Sequence, residues 1–203
     1  MFPVVIVATN ETRFPMTQPP PLEISLEFTP NPNTLKYALN RRILLSGAEY
    51  YRTEEEAEEY SPLASKLFHL DAITAVMIGP DFITITLFSQ DNLRESNRAI
   101  LGAIREHIES GGVICTPRPE EDFAAQDDPT SARIREILSE EIRPMVALDG
   151  GDITFYRFED GVVYLHMLGA CAGCPSSTMT LQMGILQRLQ KELPEVKEIL
   201  PVG

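Results

Sequence analysis

Two of the three cysteines in this 203-residue chain lie in one short motif, Gly169-Ala170-Cys171-Ala172-Gly173-Cys174-Pro175, and the third, Cys115, stands apart. A thiolate pair at this spacing is either a soft-metal ligand set or a dithiol redox couple. Two thiolates cannot close a four-ligand site. A metallic, all-thiolate site therefore needs a second chain, with Cys171 and Cys174 of each copy giving four sulfurs around a bridging cluster on a two-fold axis. A cluster held this way is exposed at an interface, which suits transfer to a client and needs no general acid or base. Structural zinc shared by two chains meets the same ligand count. Thiol-disulfide exchange needs no metal, but such motifs sit in parallel βαβ units, whereas the strand entering this one reads as half of an antiparallel hairpin.

The local sequence favours thiolate. Cys174 falls at an N-cap with Pro175 at the first helical position, so both sulfurs are expected near free backbone N–H groups whose partial positive charge lowers the proton cost of ligation. The small neighbours Gly169, Ala170, Ala172 and Gly173 let the backbone wrap closely around a bulky object. The other chemistry-bearing residues are scattered. His69 is near a helix end, His107 lies between Ile104 and Ile108 on a helix, and His166 is on a strand five residues before Cys171. All three read as structural, and Cys115 as a partly buried small residue. Asp149-Gly150-Gly151-Asp152 reads as a turn, because four residues cannot fill a six-oxygen cation site. The sequence carries no nucleophile elbow, phosphate loop or zinc-protease motif.

Two units must position the motif. In the first, Ile24, Leu26 and Phe28 alternate with polar residues as in a half-buried strand, and Thr29-Pro30-Asn31-Pro32-Asn33 turns the chain. Residues 35–45 are expected to form two short strands. The glutamate-rich stretch 53–60 is a solvated helical turn or two, and Ser61-Pro62 caps a helix running through His69. Residues 73–78 and 82–88 are β-branched runs split by Gly79-Pro80-Asp81, a hairpin. Leu93, Ile100, Leu101, Ile104 and Ile108 then share one face of a helix that stops at Gly111-Gly112.

Beyond an acidic, Pro-rich linker, Asp128-Pro129 caps a helix with Ile134, Ile137, Leu138 and Ile142 inward. Strands at 153–158 and 162–168 flank Glu159-Asp160-Gly161, and the Asp-Gly pair is a strong hairpin signal. The second strand leads straight into the cysteines. A helix from Pro175 to about Leu193 buries Leu181, Ile185, Leu186, Leu189 and Leu193, Pro194 breaks it, and 196–200 form a last strand. The expected fold class is α+β: two small α+β domains joined by an acidic Pro-rich linker, the second ordered α-β-β-α-β. The expected boundaries are an extended segment at 1–22, domains at 23–114 and 129–203, and the linker at 115–128.

Composition excludes several partners. With 17 Lys and Arg against 30 Asp and Glu, the formal charge of -13 repels a phosphate backbone, so neither nucleic acid nor an anionic membrane is expected. No apolar run approaches the roughly 18 residues of a membrane span. The first 22 residues lack a basic region followed by an apolar one, so the expected location is cytoplasmic, with the mitochondrial matrix the alternative for a eukaryotic chain.

The motifs Leu148-Asp149-Gly150-Gly151-Asp152-Ile153, Asp160-Gly161-Val162-Val163, the cysteine motif with Ser176-Ser177-Thr178 after it, and Leu193-Pro194-Glu195-Val196 resemble the C-terminal domain of NifU-like (Nfu-type) iron-sulfur scaffold and carrier proteins. Upstream, Thr29-Pro30-Asn31-Pro32-Asn33-Thr34-Leu35-Lys36-Tyr37, Ser61-Pro62-Leu63-Ala64 with Leu67-Phe68, and Asp81-Phe82-Ile83-Thr84-Ile85-Thr86 are similar to the N-terminal domain that accompanies it in many members. The resemblance implies a non-enzymatic carrier. In that family's pattern Cys171 and Cys174 bind a 4Fe-4S cluster shared across a homodimer. An upstream cluster-assembly donor supplies it, client apoproteins receive it, and the N-terminal domain aids recognition. The alternative remains a thiol-disulfide oxidoreductase using the same pair. Two departures stand out: Ala72 occupies a turn position where the family pattern has glycine, and Asn40-Arg41-Arg42 replaces a Pro-Gly turn.

Overall fold

The computed structural model describes residues 20–45, 47–89, 91, 93–116, 128–172 and 175–202, with 175–177 as backbone only. The lead-in before Pro20, most of the linker, and Cys174 lie outside the described residues.

The first unit runs β1 (Ile24–Phe28), β2 (Thr34–Leu39), β3 (Glu49–Tyr51), α1 (Glu54–Tyr60), α2 (Pro62–Phe68), β4 (Ile73–Ile78), β5 (Phe82–Leu87) and α3 (Leu93–Glu109). Its strands form one antiparallel sheet in the order β1-β2-β5-β4-β3. Alternation along each strand divides the sheet into two faces. Leu35, Tyr37 and Leu39, Val76 and Ile78, and Ile83, Ile85 and Leu87 share a core with Leu63, Leu67, Ile100 and Ile104 of the helices. Thr34, Lys36, Ala75, Met77, Thr84 and Thr86 alternate with them on the opposite face. The short helices are fixed by their caps: Thr53 accepts from the Glu56 N–H, and Ser61 accepts from the Ala64 N–H ahead of Pro62.

Three local expectations change. Only one strand forms between residues 35 and 45, because beyond Leu39 the backbone turns across the end of the sheet. There Ile43 N–H donates to Pro80 O (2.6 Å), and Ile43 and Leu44 pack on the core from a loop; the next strand is β3. Phe28 is 80% exposed, so the inward alternation of β1 stops at Leu26. Contact with the first domain begins before Glu23: Leu22 is buried, and the carbonyls of Pro20 and Pro21 accept from Arg41 and Asn40.

The second unit runs α4 (Pro129–Ile137), a π-helical turn (Leu138–Ile142), α5 (Arg143–Leu148), β6 (Gly151–Glu159), β7 (Val162–Gly169), α6 (Pro175–Gln190) and β8 (Glu198–Val202). This is the α-β-β-α-β order expected, and Ile134, Ile137, Leu138 and Ile142 are all buried. The first helix is not uniform. Pro144 brings no N–H to the helical ladder, and the wider turn immediately before it accommodates that gap. The sheet order is β6-β7-β8. β6 and β7 form the expected hairpin through Asp160 and Gly161, both at positive φ. β8 starts at Glu198 and pairs parallel with β7. The segment β7-α6-β8 is therefore a parallel crossover, and the hairpin accounts for only one side of the strand that delivers the cysteines.

The two cores are separate, but the domains touch. β4 and β5 of the first sheet lie against β7.

Candidate functional site

Cys171 is placed by the end of β7. Gly169, the last residue of that strand, has φ 60°, a left-handed turn that redirects the chain. The turn is pinned by backbone bonds from Cys171 N–H to Leu168 O (3.2 Å), Ala172 N–H to Gly169 O (3.1 Å) and Ala170 N–H to Gly150 O (3.1 Å). On the helix side, the Thr178 hydroxyl donates to Cys171 O (3.2 Å) and ties the loop to the first turn of α6.

Beneath the sulfur lies Gly151, paired across the ladder with Gly169. A Cβ at Gly151 would collide with Cys171 Sγ and sit 3.1 Å from Cys171 N, so only glycine leaves room for the thiol. The next residue, Asp152, is buried, and Arg143 from α5 donates to both its carboxylate oxygens (2.8 and 2.7 Å) while Ile153 N–H donates to one of them (2.8 Å). This bidentate pair fixes the start of β6, and with it the floor of the cysteine loop, to α5.

The electrostatics differ from expectation. Burial pushes the Cys171 thiol up to about 12, with the Asp149 and Asp152 carboxylates adding to the effect. The N–H groups of Cys171 and Ala172 donate to the carbonyls of Leu168 and Gly169. In this conformation Cys171 is a protonated thiol at neutral pH, only 7% exposed. A metal must displace that proton to bind. Cys171 opens on a cleft of about 360 Å³ whose other walls are Met167, Ala172, Thr178, Pro201, Val202 and, from the first domain, Arg52.

Cys174 lies outside the described residues, although the helix does begin at Pro175 as expected. The histidines occupy structural positions. His69 Nδ1 lies 2.7 Å from Ser65 O, His107 Nε2 2.8 Å from Val113 O, and His166 Nδ1 3.1 Å from Val202 O. His69 also groups with Glu54 and Glu58 on the exposed surface of α1 and α2, apart from the cysteine loop. Cys115 is half-buried in the first domain, its Sγ 3.8 Å from Ser61 Oγ.

Asn31, Lys36 and Thr84 of the first domain were not singled out by sequence reasoning, yet each donates to a carbonyl around the site: Asn31 to Ala172 O (2.8 Å), Lys36 to Leu148 O (2.8 Å) and Thr84 to Gly150 O (2.9 Å). Thr84 sits in a β-branched run that the sequence marks only as one arm of a hairpin. A lysine and threonines on the uncovered side of a half-buried sheet carry no sign of a neighbouring domain.

Residues 134–200 match the family model described as a NifU-like domain, and residues 24–111 match the one described as the scaffold protein Nfu/NifU N terminal. A curated relative, the human mitochondrial NFU1 iron-sulfur cluster scaffold homolog, is 38% identical over 87% of this chain and 70% of its own length. The corresponding protein of Drosophila persimilis is 37% identical over 87% of this chain and 64% of its own length. The chain thus spans less than two thirds of the length of the Drosophila relative and 70% of the human one. Among solved structures, a NifU-like protein from Saccharomyces cerevisiae is 22% identical, with a TM-score of 0.43 over 54% of this chain and 98% of that one. Both family models match, and more than two thirds of a curated relative is covered: the chain belongs to the NifU-like, NFU1-type family of iron-sulfur cluster scaffold proteins.

Proposed function

We propose that this chain is a non-enzymatic carrier that binds a 4Fe-4S cluster between two copies through Cys171 and Cys174, and passes it to client apoproteins by exchange of thiolate ligands. The observation that carries this reading is the cysteine loop: a small-residue turn between β7 and α6 with Cys171 seated over Gly151, in a domain that matches the NifU-like model. One chain brings two thiolates in this motif, and Cys115 lies in the other domain against Ser61. Four sulfurs thus require a second copy. The cluster is cargo. Each subunit offers ligands and a floor, and the burial of Cys171 keeps the empty loop protonated until iron displaces the proton.

An upstream assembly protein supplies the cluster, and the loaded form is a homodimer. The relatives' names support a mitochondrial site of action, the alternative to the cytoplasmic expectation. Thiol-disulfide exchange is the competing chemistry for the same pair, and the parallel crossover around the motif removes the topological argument against it.

Anaerobic reconstitution with iron and sulfide separates the two. The expected result is a broad charge-transfer absorbance, about four iron per dimer for one cubane on four thiolates, and a shift to dimer on size analysis. Wild-type protein that takes up no iron but reduces a disulfide substrate in the presence of a dithiol would overturn the carrier reading.

A further inference from the structure

The face of the first sheet that points away from its own helices ought to be wet, yet it is not. Lys36 is 8% exposed and Thr84 1%, although neither belongs to the helix-backed core. They are adjacent in the β2–β5 register, and what covers them is the second domain. Lys36 Nζ donates to Leu148 O (2.8 Å) at the end of α5, with Glu27 (2.9 Å) and the face of Phe82 completing its surroundings. Thr84 Oγ1 donates to Gly150 O (2.9 Å), in the turn that underlies the cysteine loop. At the sheet's end, Asn31 Nδ2 donates to Ala172 O (2.8 Å), inside the CxxC motif.

All three donors are side chains of the first domain, and the acceptors are the last carbonyl of α5 and one carbonyl in each of the two loops that build the Cys171 site. A buried ammonium is costly without partners, so the arrangement favours Lys36 keeping Leu148 O beside it. Close approach reinforces the contact: a Cβ at Gly169 would sit 2.8 Å from Met77 Sδ, and one at Gly150 would sit 2.9 Å from Thr84 Oγ1. Arg52 closes the outer wall of the Cys171 cleft from the same domain.

We infer that the polar face of the N-terminal sheet is an intramolecular clasp for the cysteine loop: Asn31, Lys36 and Thr84 are positioning residues that hold the empty chain closed, and a cluster can bridge two copies only after the clasp opens. This rests on the carrier reading for what happens after opening, but the closed state itself does not. The clasp gives the N-terminal domain a defined task, shielding a ligand loop that has no cargo.

The test uses the full apo chain with Cys115→Ser, so that only the motif thiols react, and follows N-ethylmaleimide labelling of Cys171 by peptide mass spectrometry. The triple variant Asn31→Ala/Lys36→Met/Thr84→Val removes the three donors. Its expected labelling rate is at least about tenfold above the Cys115→Ser parent, with an increased radius of gyration in solution scattering and unchanged circular dichroism. Thr84→Ser, which keeps the donor, should label at the parent rate. If the folded triple variant labels Cys171 at the parent rate, the clasp is overturned. The parent supplies a measurement that does not depend on the variant folding: labelling of its Cys171 as fast as in urea would overturn the closed state. Reconstitution is a separate arm, in which the variant should load cluster faster than the parent to the same final stoichiometry. Failure of both proteins to load would overturn the carrier reading and leave the labelling result to decide the clasp.

Discussion

The two domains solve the same problem, covering a sheet, with opposite distributions of material. The N-terminal sheet has five strands, and its helix-backed side is filled with large aliphatic and aromatic side chains such as Tyr37, Tyr51, Leu63 and Ile104, all fully buried. The C-terminal sheet has three strands, and where it meets the cysteine loop the packing is made by Gly150, Gly151, Gly169 and Ala170. The first domain gains its rigidity from bulk. The second gives up bulk at the one place where sulfur must sit, and borrows hydrogen-bond donors from its neighbour to keep that place ordered. The Cys171 loop is thus set apart from the core that keeps the chain folded.

The sharpest way to break this contrast is to remove the ligands. Cys171→Ser or Cys174→Ser should abolish iron and sulfide binding and cluster-dependent dimerisation, while Cys115→Ser leaves both intact; metal analysis with size exclusion reads this directly, and a stable holo monomer would contradict a bridged site. Next in size is the floor of the loop. Arg143→Met leaves Asp152 buried without its guanidinium partner, and should destabilise the C-terminal unfolding transition by about 2–3 kcal/mol while the N-terminal transition stays in place. Denaturant melts monitored in both domains would detect a loss shared between them, which would contradict the separation.

A smaller effect sharpens the electrostatic side. An acid whose pKa is raised by folding keeps its proton in the folded chain, so above about 9 the unfolded chain sheds a proton that the folded chain holds to about 12. The stability from this source is fully present below about 9 and falls as pH rises through that window, with a slope of up to about 1.4 kcal/mol per pH unit. Cys171→Ala should flatten that part of the curve, and identical pH profiles for the two proteins would show that Cys171 does not titrate differently in the fold. The smallest effect lies in the N-terminal domain. Ala72 has φ 68° and is exposed, so Ala72→Gly relieves left-handed strain and should stabilise that domain by about 0.5–1 kcal/mol, visible as a higher Tm for its transition alone.

Much of this was legible from the chain because local signals and tertiary packing agree. Ser61-Pro62, Asp128-Pro129 and Asp160-Gly161 each carry a cap or turn chemistry that needs no distant partner, and each sits where it was expected. The glycine missing at position 72 marked a turn whose backbone is indeed left-handed. What escaped depends on distant partners. The parallel β7–β8 pairing is set by α6 returning the chain to the sheet, and a strand's pairing direction leaves no mark on its own sequence. The raised pKa of Cys171 comes from burial and from two aspartates on another segment, which outweigh the helix-start argument. The covering of Lys36 and Thr84 escaped as well, because nothing in an alternating strand says which domain will arrive there.

The parallel crossover has a consequence for the loop. Because β8 returns to lie beside β7, both exits from the cysteine loop lead into elements anchored on one sheet, with β7 on one side and α6 followed by β8 on the other. If the chain carries a cluster as proposed, ligand exchange at Cys171 needs the first domain's contacts to open but not the C-terminal sheet to unfold.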